Sequence, residues 1–443
     1  MKKCISWIFA SAILALCLSL SVGTIVFGPS EAGANEQLSQ KPEWTNKDGN
    51  WNPDFLADTL TWFSDHFFLR QELISAHNYL SANLLNTSGS DSVVLGKDGW
   101  LFYADTLADY TGSSPMTDRE LYASANNLAL MAEYTQGTGR QFLFVSAPNK
   151  SGIYSQYMPD LGTAAHQQDI ERLFALLDEM DVPYVDLYTV FGKVQEQIYF
   201  KHDSHWNSRG AALAADLINN AFGVESSYAA DSFSEKMPHN GDLHEMLYPA
   251  FADSETDGIY GGGLDFHYTG KATKPDSITL LTQGNGQTDL LAYRDSFGNL
   301  LYPYLADSYG AARFSRSVNY DLTLDSDHVM IELVQRNLRY LITYLPVIQS
   351  PVRQIVIPSE SSGVASAAVT KGIAPEGCVL IKGEMIAQTD SDSHIYVVCG
   401  GVAYEAFQFP GEKLKFAVYV PAGQEPEQVV YSVGGEYELL TVQ

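Results

Sequence analysis

The sequence predicts an α/β domain followed by a smaller module made only of strands. Between residues 118 and 345, segments with helical spacing alternate with short apolar runs, which is typical of a parallel sheet sandwiched by helices. From residue 350 onward, short β-type runs separated by Gly and Pro turns replace that pattern. A chain of 443 residues is long enough for both units.

Four segments are expected in chain order. Residues 1–30 contain a long uncharged stretch after two lysines and predict a signal peptide or a membrane anchor. Residues 31–52 are polar and predict a linker, 53–349 form the α/β domain, and 350–443 form the β-rich module. The protein is therefore expected on the extracellular side of the cytoplasmic membrane, either anchored there or secreted.

Composition limits the classes of partner. Hydrophobic residues make up 45% of the chain and aromatic residues 12%, which is typical of a folded protein. The net charge of -27, from 26 basic and 53 acidic residues, argues against nucleic acid, because binding phosphates needs clustered Lys and Arg. Cys378 and Cys399 could form a disulfide in an exported protein or remain as two free thiols.

Periodicity and turn signals place the individual elements. The region 221–286 lacks clear periodicity and predicts loop insertions. Predicted helices cover residues 55–85, 118–134, 166–180, 208–218, 299–305 and 332–345. Predicted strands are a hairpin at 93–103 and runs at 141–146, 183–187, 290–293, 328–331, 395–398, 414–420 and 429–431.

Two loops contain the residue types of a serine nucleophile and its base. Asp203 and His205 lie two positions apart in a loop that opens a helix, and Ser296 lies in a sharp turn between a strand and a helix. A serine hydroxyl needs a base to accept its proton, and a His oriented by a carboxylate supplies one. Because triads form in space, the chain order of these three residues is no obstacle.

Other interpretations of these loops stay open. Asp295 or Ser296 could simply cap the following helix. His202, Asp203 and His205 could instead be metal ligands, although three ligands within four residues rarely converge without a fourth. We expect no metal and no cofactor in this site.

Four further residues are candidates for substrate binding. Asn149 and Lys150 follow the predicted strand 141–146, and functional loops of parallel sheets lie at the carboxyl ends of the strands. Trp206 adjoins the Asp203–His205 pair, and Arg294 precedes the Asp-Ser turn. All four are therefore expected close to the triad.

The chain resembles the SGNH-hydrolase-like proteins of exopolysaccharide (alginate-type) O-acetylation, including the DHHW proteins. The resemblance covers residues 53 to about 345 and departs from the family pattern at Ser204, in place of the first His of DHHW, and at Arg294, where many relatives have Gly. It is based on five motifs: FSDHFFLR (63–70), GKDGWLF (96–102), DSHW (203–206), GDL (241–243) and RDSFG (294–298).

The resemblance implies a flavodoxin-like sheet of SGNH type and an acetyl transfer to a cell-surface or extracellular polysaccharide. Ser296 would accept the acetyl group, His205 would transfer the proton, and Asp203 would orient His205. A membrane-bound acyltransferase is the implied source of the acetyl group. A carbohydrate acetylesterase with the same triad and a non-catalytic cell-envelope glycan-binding protein are the alternatives.

Overall fold

The computed structural model describes residues 2–33, 36–161, 168–387 and 389–443. The helices are α1 (Lys2–Phe27), α2 (Phe55–His66), α3 (Arg70–Leu80), α4 (Leu107–Thr111), α5 (Asp118–Gly137), α6 (Lys150–Ile153), α7 (Asp169–Glu179), α8 (Leu187–Phe191), α9 (Ser208–Phe222), α10 (Asp242–Leu247) and α11 (Gly298–Ser308). The strands up to residue 350 are β1 (Val93–Leu95), β2 (Leu101–Tyr103), β3 (Gln141–Ala147), β4 (Tyr184–Val185), β5 (Phe233–Pro238), β6 (Thr256–Tyr260), β7 (His267–Tyr268), β8 (Thr279–Gln283), β9 (Leu290–Tyr293), β10 (Ala311–Ser315) and β11 (His328–Val334). Those after it are β12 (Val352–Arg353), β13 (Ser361–Thr370), β14 (Cys378–Met385), β15 (Ile395–Cys399), β16 (Val402–Glu405), β17 (Phe407–Phe409), β18 (Leu414–Pro421), β19 (Gln428–Val433) and β20 (Glu436–Val442).

The central sheet has seven strands in the order β4-β3-β11-β9-β10-β8-β7. The five strands from β4 to β10 run parallel, as predicted. β8 and β7 extend the β10 edge in antiparallel pairing, so the expectation of a wholly parallel sheet is corrected to a mixed sheet. In β8 only alternate residues, Leu280 and Thr282, are buried, which is typical of an antiparallel strand with one solvated face.

Both faces of the central sheet are covered. Leu143 and Val145 of β3 belong to a core cluster shared with α9 and α11. Their neighbours Phe142 and Phe144 point the other way and belong to a cluster shared with α5 and α7. This alternation follows from the period of two along a strand and explains why the run is apolar at every position.

Two predicted segments need correction, and a third lies partly outside the described residues. The predicted helix at 332–345 begins too early, because Glu332 belongs to β11 and a 3-10 helix follows at Gln335–Ile342. The region predicted as loops, 221–286, contains the β5–β6 hairpin, α10 and the two antiparallel strands. The start of the predicted helix 166–180 falls outside the described residues, and α7 occupies the rest of it.

The region after residue 350 forms a nine-stranded sheet in the order β12-β16-β15-β19-β20-β13-β14-β18-β17. Phe407 and Tyr419 of this sheet lie in the same hydrophobic cluster as buried residues of α5. The buried Asn127 of α5 donates to the carbonyl oxygens of Leu341 and Gln408, at 2.9 and 3.0 Å. Cys378 and Cys399 both carry free thiols.

The N-terminal helix α1 contacts the start of the α/β domain. The hydroxyl of Thr24 accepts a hydrogen bond from the amide of Phe68 at 2.9 Å, and the rings of Phe27 and Phe68 stack at 5.0 Å. Within the part of the chain that the structure describes, no helix combines the length and apolar character needed to cross a membrane.

Candidate active site

The Asp203–His205 loop is fixed at both of its ends. Tyr199 and Trp206 pair as an isolated β-bridge, which brings the loop back on itself. Asn207 then caps α9, because its Oδ1 accepts a hydrogen bond from the amide of Gly210 at 3.0 Å. The loop therefore ends where a stable helix begins.

The turn that contains Ser296 is held by the carboxylate of Asp295. This carboxylate accepts hydrogen bonds from the amide of Phe297 at 2.9 Å and from the amide of Val334 at 2.8 Å. Asn337 donates a third at 3.0 Å. The Ser296 hydroxyl contacts an imidazole, and no side chain caps the N-terminus of α11.

The three predicted triad residues lie together. His205 Nδ1 is 2.7 Å from Asp203 Oδ1, and His205 Nε2 is 2.8 Å from Ser296 Oγ. A carboxylate can only accept, so Nδ1 carries the proton and Nε2 is free to accept from the serine hydroxyl. This is the geometry in which an imidazole can remove the hydroxyl proton.

Asp203 accepts two further hydrogen bonds on its other oxygen. His239 Nε2 donates to Asp203 Oδ2 at 2.9 Å, and the amide of Asp242 donates to the same atom at 3.1 Å. The contact from the Asp242 amide depends on the glycine of the GDL motif. Gly241 lies so close to the Asp203 loop that a Cβ at this position would be 2.2 Å from the carbonyl oxygen of His202. Glycine allows this close approach of two loops.

Ser204 replaces the first His of the DHHW pattern and makes its own contacts. Its hydroxyl and amide both donate to the carboxylate of Asp242, at 2.6 and 2.7 Å. Asp242 Oδ2 also lies 3.5 Å from His205 Nδ1. The imidazole therefore has a second carboxylate beside it.

The electrostatics of the site favour an anionic Asp203 and a basic His205. Burial raises the pKa of Asp203, but hydrogen bonds from His205 and His239 outweigh it and hold this pKa well below its usual range. For His205, burial lowers the pKa, but the hydrogen bond and charge of Asp203 dominate and raise it. Burial and the charge of Asp203 together raise the pKa of Asp242.

Lys150 and Trp206 are enclosed in the protein and position the two loops. The Lys150 ammonium donates to the carbonyl oxygens of Phe200, Lys201 and Asp203, at 3.2, 3.1 and 2.5 Å. Burial lowers the pKa of Lys150 to about 8. The fully buried indole of Trp206 donates to the carbonyl oxygen of Phe297 at 3.1 Å, which joins one loop to the other.

Asn149 and Arg294 are also buried and bonded within the protein. Asn149 donates through its side chain to Asp109 at 3.0 Å. Arg294 donates to Asn299 at 2.6 Å and to the carbonyl oxygen of Pro275. All four side chains are thus buried and bonded within the protein, and their role in substrate binding stays a prediction.

The sequence interpretation missed three residues of the site. Asp242 lies in the quoted GDL motif, whose local sequence indicates only a turn. His239 carries no motif signal. Arg336 lies with its guanidinium 5.6 Å from the ring centre of Phe297, whose ring in turn lies 4.7 Å from that of His205.

The alternative metal ligand set does not form in the described residues. The His202 ring turns away from the triad, and its Nδ1 lies 2.7 Å from Asp253 Oδ1. His202, Asp253 and Glu255 form one group of potential ligands, and Asp203, His205 and Asp242 form another. In the group that contains His202, the carboxylate of Glu255 accepts hydrogen bonds from the amides of Lys201 and His202. These contacts explain the group as one that stabilises the loop.

Comparison with known proteins finds sequences similar to part of this chain. Residues 93–255 match the family model described as the SGNH hydrolase-like domain of the acetyltransferase AlgX. AlgJ of Pseudomonas syringae pv. tomato, a probable alginate O-acetylase, is 24% identical over 247 residues, which cover 53% of this chain and 60% of AlgJ. The chain spans 60% and 44% of the lengths of this relative and of the Pseudomonas putida AlgJ.

Comparison with solved structures finds partial matches in other bacteria. A DHHW family protein from Eubacterium siraeum is 19% identical, with a TM-score of 0.39, covering 51% of this chain and 90% of that one. PatB1 of Bacillus cereus, solved with a sulfonyl adduct, is 15% identical, with a TM-score of 0.43, covering 56% of this chain and 97% of that one. The segment that matches the family model contains Asp203, His205 and Asp242, ends before Ser296 and covers less than half of this chain.

Proposed function

We propose that the protein is an exported O-acetyltransferase that acetylates a cell-surface or extracellular polysaccharide through an acyl-enzyme on Ser296. The observation that supports this most directly is the chain of contacts from Asp203 to His205 at 2.7 Å and from His205 to Ser296 at 2.8 Å. The names of the relatives, probable alginate O-acetylases, favour acyl transfer to a polysaccharide among the reactions that such a triad performs.

In the first half-reaction, Ser296 Oγ attacks the carbonyl carbon of the donor's acetyl group. The hydroxyl proton moves to His205 Nε2, and the carboxylate of Asp203 stabilises the imidazolium that forms. When the bond between the acetyl carbon and the donor oxygen breaks, His205 returns the proton to that leaving oxygen. The products are acetyl-Ser296 and the donor alcohol.

The tetrahedral intermediate needs hydrogen-bond donors for its oxyanion. Among the described residues, the amide of Ser296 has no acceptor, so it is available for this role. Ser296 also immediately precedes the N-terminal end of α11, whose dipole favours negative charge. Nucleophile and oxyanion donor thus belong to one turn.

In the second half-reaction, a sugar hydroxyl attacks acetyl-Ser296 and gives its proton to His205. The new ester forms on the sugar, and Ser296 recovers its proton from His205. If water attacks instead, acetate is released and the protein is a carbohydrate acetylesterase, which is the second candidate. Exclusion of water from the acyl-enzyme decides between the two.

The remaining parts of the proposal come from the sequence. The uncharged N-terminal stretch favours export, with retention at the membrane or secretion, and residues 350–443 are proposed as a strand-rich C-terminal module. A membrane-bound acyltransferase is proposed as the acetyl donor, by resemblance to the family. A non-catalytic glycan-binding role is disfavoured by the contact between Ser296 and His205, because a hydroxyl that only caps a helix has no need of an imidazole.

Replacement of Ser296 by Ala tests the proposal. The variant should lose turnover of an acetyl ester by up to roughly 10⁶-fold, because the nucleophile is absent. Ser254→Ala, at an exposed serine, is the matched control and should retain full activity. Circular dichroism checks that both variants fold.

The same preparation separates transferase from esterase. Wild-type protein is incubated with an acetyl donor and a glycan, and acetate release is compared with the mass gain of the glycan. Undiminished turnover by the Ser296→Ala variant would contradict the assignment of the nucleophile, and acetate release without glycan mass gain would favour the esterase.

A further inference from the structure

A group of carboxylates and imidazoles lies beside the Asp203–His205 loop and outside the triad. It contains His202, Asp253 and Glu255, whose potential ligand atoms all lie within 4.8 Å of one another. His244 of α10 lies next to them, with its ring centre 6.0 Å from that of His202. Because His202 directly precedes Asp203, this group is attached to one end of the loop that supplies the catalytic base.

The two carboxylates of this group are buried without a matching positive charge. The side chains of Asp253 and Glu255 are only 1% and 9% exposed. Both oxygens of each accept hydrogen bonds from N–H groups, as ionised carboxylates do. Among the described residues, their only ion-pair partner is His202, which is charged only when it is protonated. Buried charges in proteins are normally paired or coordinate a metal ion, and here neutral amides hold the anions without balancing them.

His244 gives a second and independent indication of a ligand. It is 9% exposed, and its Nδ1 is buried without a hydrogen-bond partner among the described residues. Burial lowers the pKa of this imidazole, so the ring is neutral and one of its nitrogens has a free lone pair. The charges that act on its pKa are those of Asp253, His202 and Glu255, the members of the same group. Since buried polar atoms are nearly always bonded in native proteins, this nitrogen indicates a partner that the described residues do not provide.

Two imidazoles and two carboxylates form a donor set that is typical of zinc. Zn²⁺ binds His nitrogen and Asp or Glu oxygen at about 2.0–2.2 Å, usually with four ligands in a tetrahedral arrangement. Ca²⁺ and Mg²⁺ prefer ligand sets made of oxygen alone. The hydrogen bond of 2.7 Å between His202 Nδ1 and Asp253 Oδ1 is compatible with this, because the ion takes the place of the Nδ1 proton. The neutral ring then carries its hydrogen on Nε2 instead.

We propose that His202, His244, Asp253 and Glu255 together bind one Zn²⁺ ion. The two positive charges of the ion balance the two buried carboxylates. The four ligands come from the Asp203–His205 loop, from α10 and from the segment before β6, so the ion joins that loop to two later segments of the chain. It takes no part in the chemistry at Ser296, and its role is to hold the loop in place.

Direct binding tests the inference on the full-length protein. The protein is treated with a chelator and then titrated with zinc chloride in a calorimeter, with calcium and magnesium chloride in parallel. We expect one zinc ion per chain and a much weaker response to the other two ions. Zinc should also raise the melting temperature by about 2–5 °C, because a ligand that binds the folded state stabilises it. Absence of saturable zinc binding overturns the inference.

Two variants locate the ion. His244→Gln and Asp253→Asn each remove one ligand and should weaken zinc binding by at least about 100-fold, since even the loss of a residue that only supports a ligand costs up to that factor. Asp242→Asn is the matched control, because Asp242 belongs to the other group of potential ligands, with Asp203 and His205, and it should keep the wild-type zinc affinity. Zinc binding that is lost in the Asp242 variant and kept in the other two places the ion at the triad and overturns the inference.

The fold of the variants is checked by circular dichroism of the metal-free proteins. Because Asp253 is almost fully buried, its variant could fail to fold for reasons unrelated to zinc. In that case His202→Gln takes its place, because the side chain of His202 is 24% exposed and its replacement disturbs the core less. Zinc affinity of the wild-type level in the folded variants of two ligands contradicts the site.

Zinc binding is measured without substrate, so its outcome is separate from that of the proposed function. Ser296-dependent turnover of an acetyl ester by a protein that binds no zinc removes only the metal site. Zinc binding by a protein that turns over no acetyl ester contradicts only the proposed function.

Discussion

Asp203 is the residue on which the polar contacts of the site converge. One oxygen accepts from the ring and the amide of His205, at 2.7 and 2.9 Å. The other accepts from His239 and from the amide of Asp242. Four donors around one buried carboxylate hold it as an anion and fix the plane of the imidazole, which is what a proton-accepting histidine requires.

The pH dependence of the reaction should follow the charge of His205. This histidine must be neutral to accept the serine proton, and Asp203 raises its pKa above the usual 6.5. Activity should therefore fall as the pH drops through that raised pKa. Asp203→Asn removes the cause, so the His205 titration, followed by NMR, should move to lower pH.

The same variant should reduce kcat by roughly 10⁴-fold, as loss of the orienting carboxylate does in serine triads. Asp231→Asn, at an exposed residue outside the triad, is the control and should leave the His205 titration in place. A titration midpoint that stays unchanged or rises in the Asp203 variant would contradict the role given to this carboxylate.

The first turn of α6 positions the Asp203–His205 loop. Its buried Lys150 contacts three carbonyl oxygens of that loop, so a four-residue helix after β3 sets the position of a loop about 50 residues later in the chain. Trp206 then links this loop to the Ser296 turn through the carbonyl oxygen of Phe297. The distance between His205 and Ser296 therefore depends on contacts outside the triad.

Replacement of Lys150 by Met should loosen this arrangement. The aliphatic part of the side chain keeps its space, but three buried carbonyl oxygens lose their donor, each a cost of about 1–3 kcal/mol if it stays unsatisfied. We expect a lower melting temperature and a fall in kcat of about 100-fold, since small displacements of catalytic groups have effects of that size. Lys193→Met, at an exposed lysine, should show neither effect, and wild-type kcat in the Lys150 variant would contradict the positioning role.

The two sheets of the molecule share hydrophobic core. Phe407 of the nine-stranded sheet is fully buried in the cluster that contains residues of α5, and Asn127 connects the same helix to Gln408. The strand-rich region therefore stabilises the α/β domain from the face of the central sheet that α5 covers. Its removal would expose apolar surface of that helix.

Phe407→Ala should lower the free energy of unfolding by about 3–5 kcal/mol, the usual cost of truncating a buried phenylalanine. The substitution lies outside the triad, so kcat at low temperature should stay close to that of the wild type. Val352→Ala, at an exposed valine of the same sheet, is the control and should have little effect on thermal unfolding. Equal melting temperatures for the two variants would argue that the shared core contributes little.

The local patterns of the sequence predicted several elements correctly. Fully apolar runs identified β3, β9 and β11, and the Lys-Asp-Gly turn identified the β1–β2 hairpin. Periodicity failed between residues 221 and 286, because short half-buried strands and a six-residue helix give too few repeats to detect. It also failed at Glu332, a charged residue inside a fully buried strand.

The sequence by itself determined the parallel strands, the strand-turn-helix around Ser296 and the residue types Asp, His and Ser, because hydrophobic period and turn chemistry are local properties. Only the tertiary structure decided that His205 and Ser296, 91 positions apart, are in contact. It also decided that His239 and Asp242 join Asp203, and that Asn149, Lys150, Trp206 and Arg294 are buried. These facts depend on which distant segments pack together, and no local pattern encodes that packing.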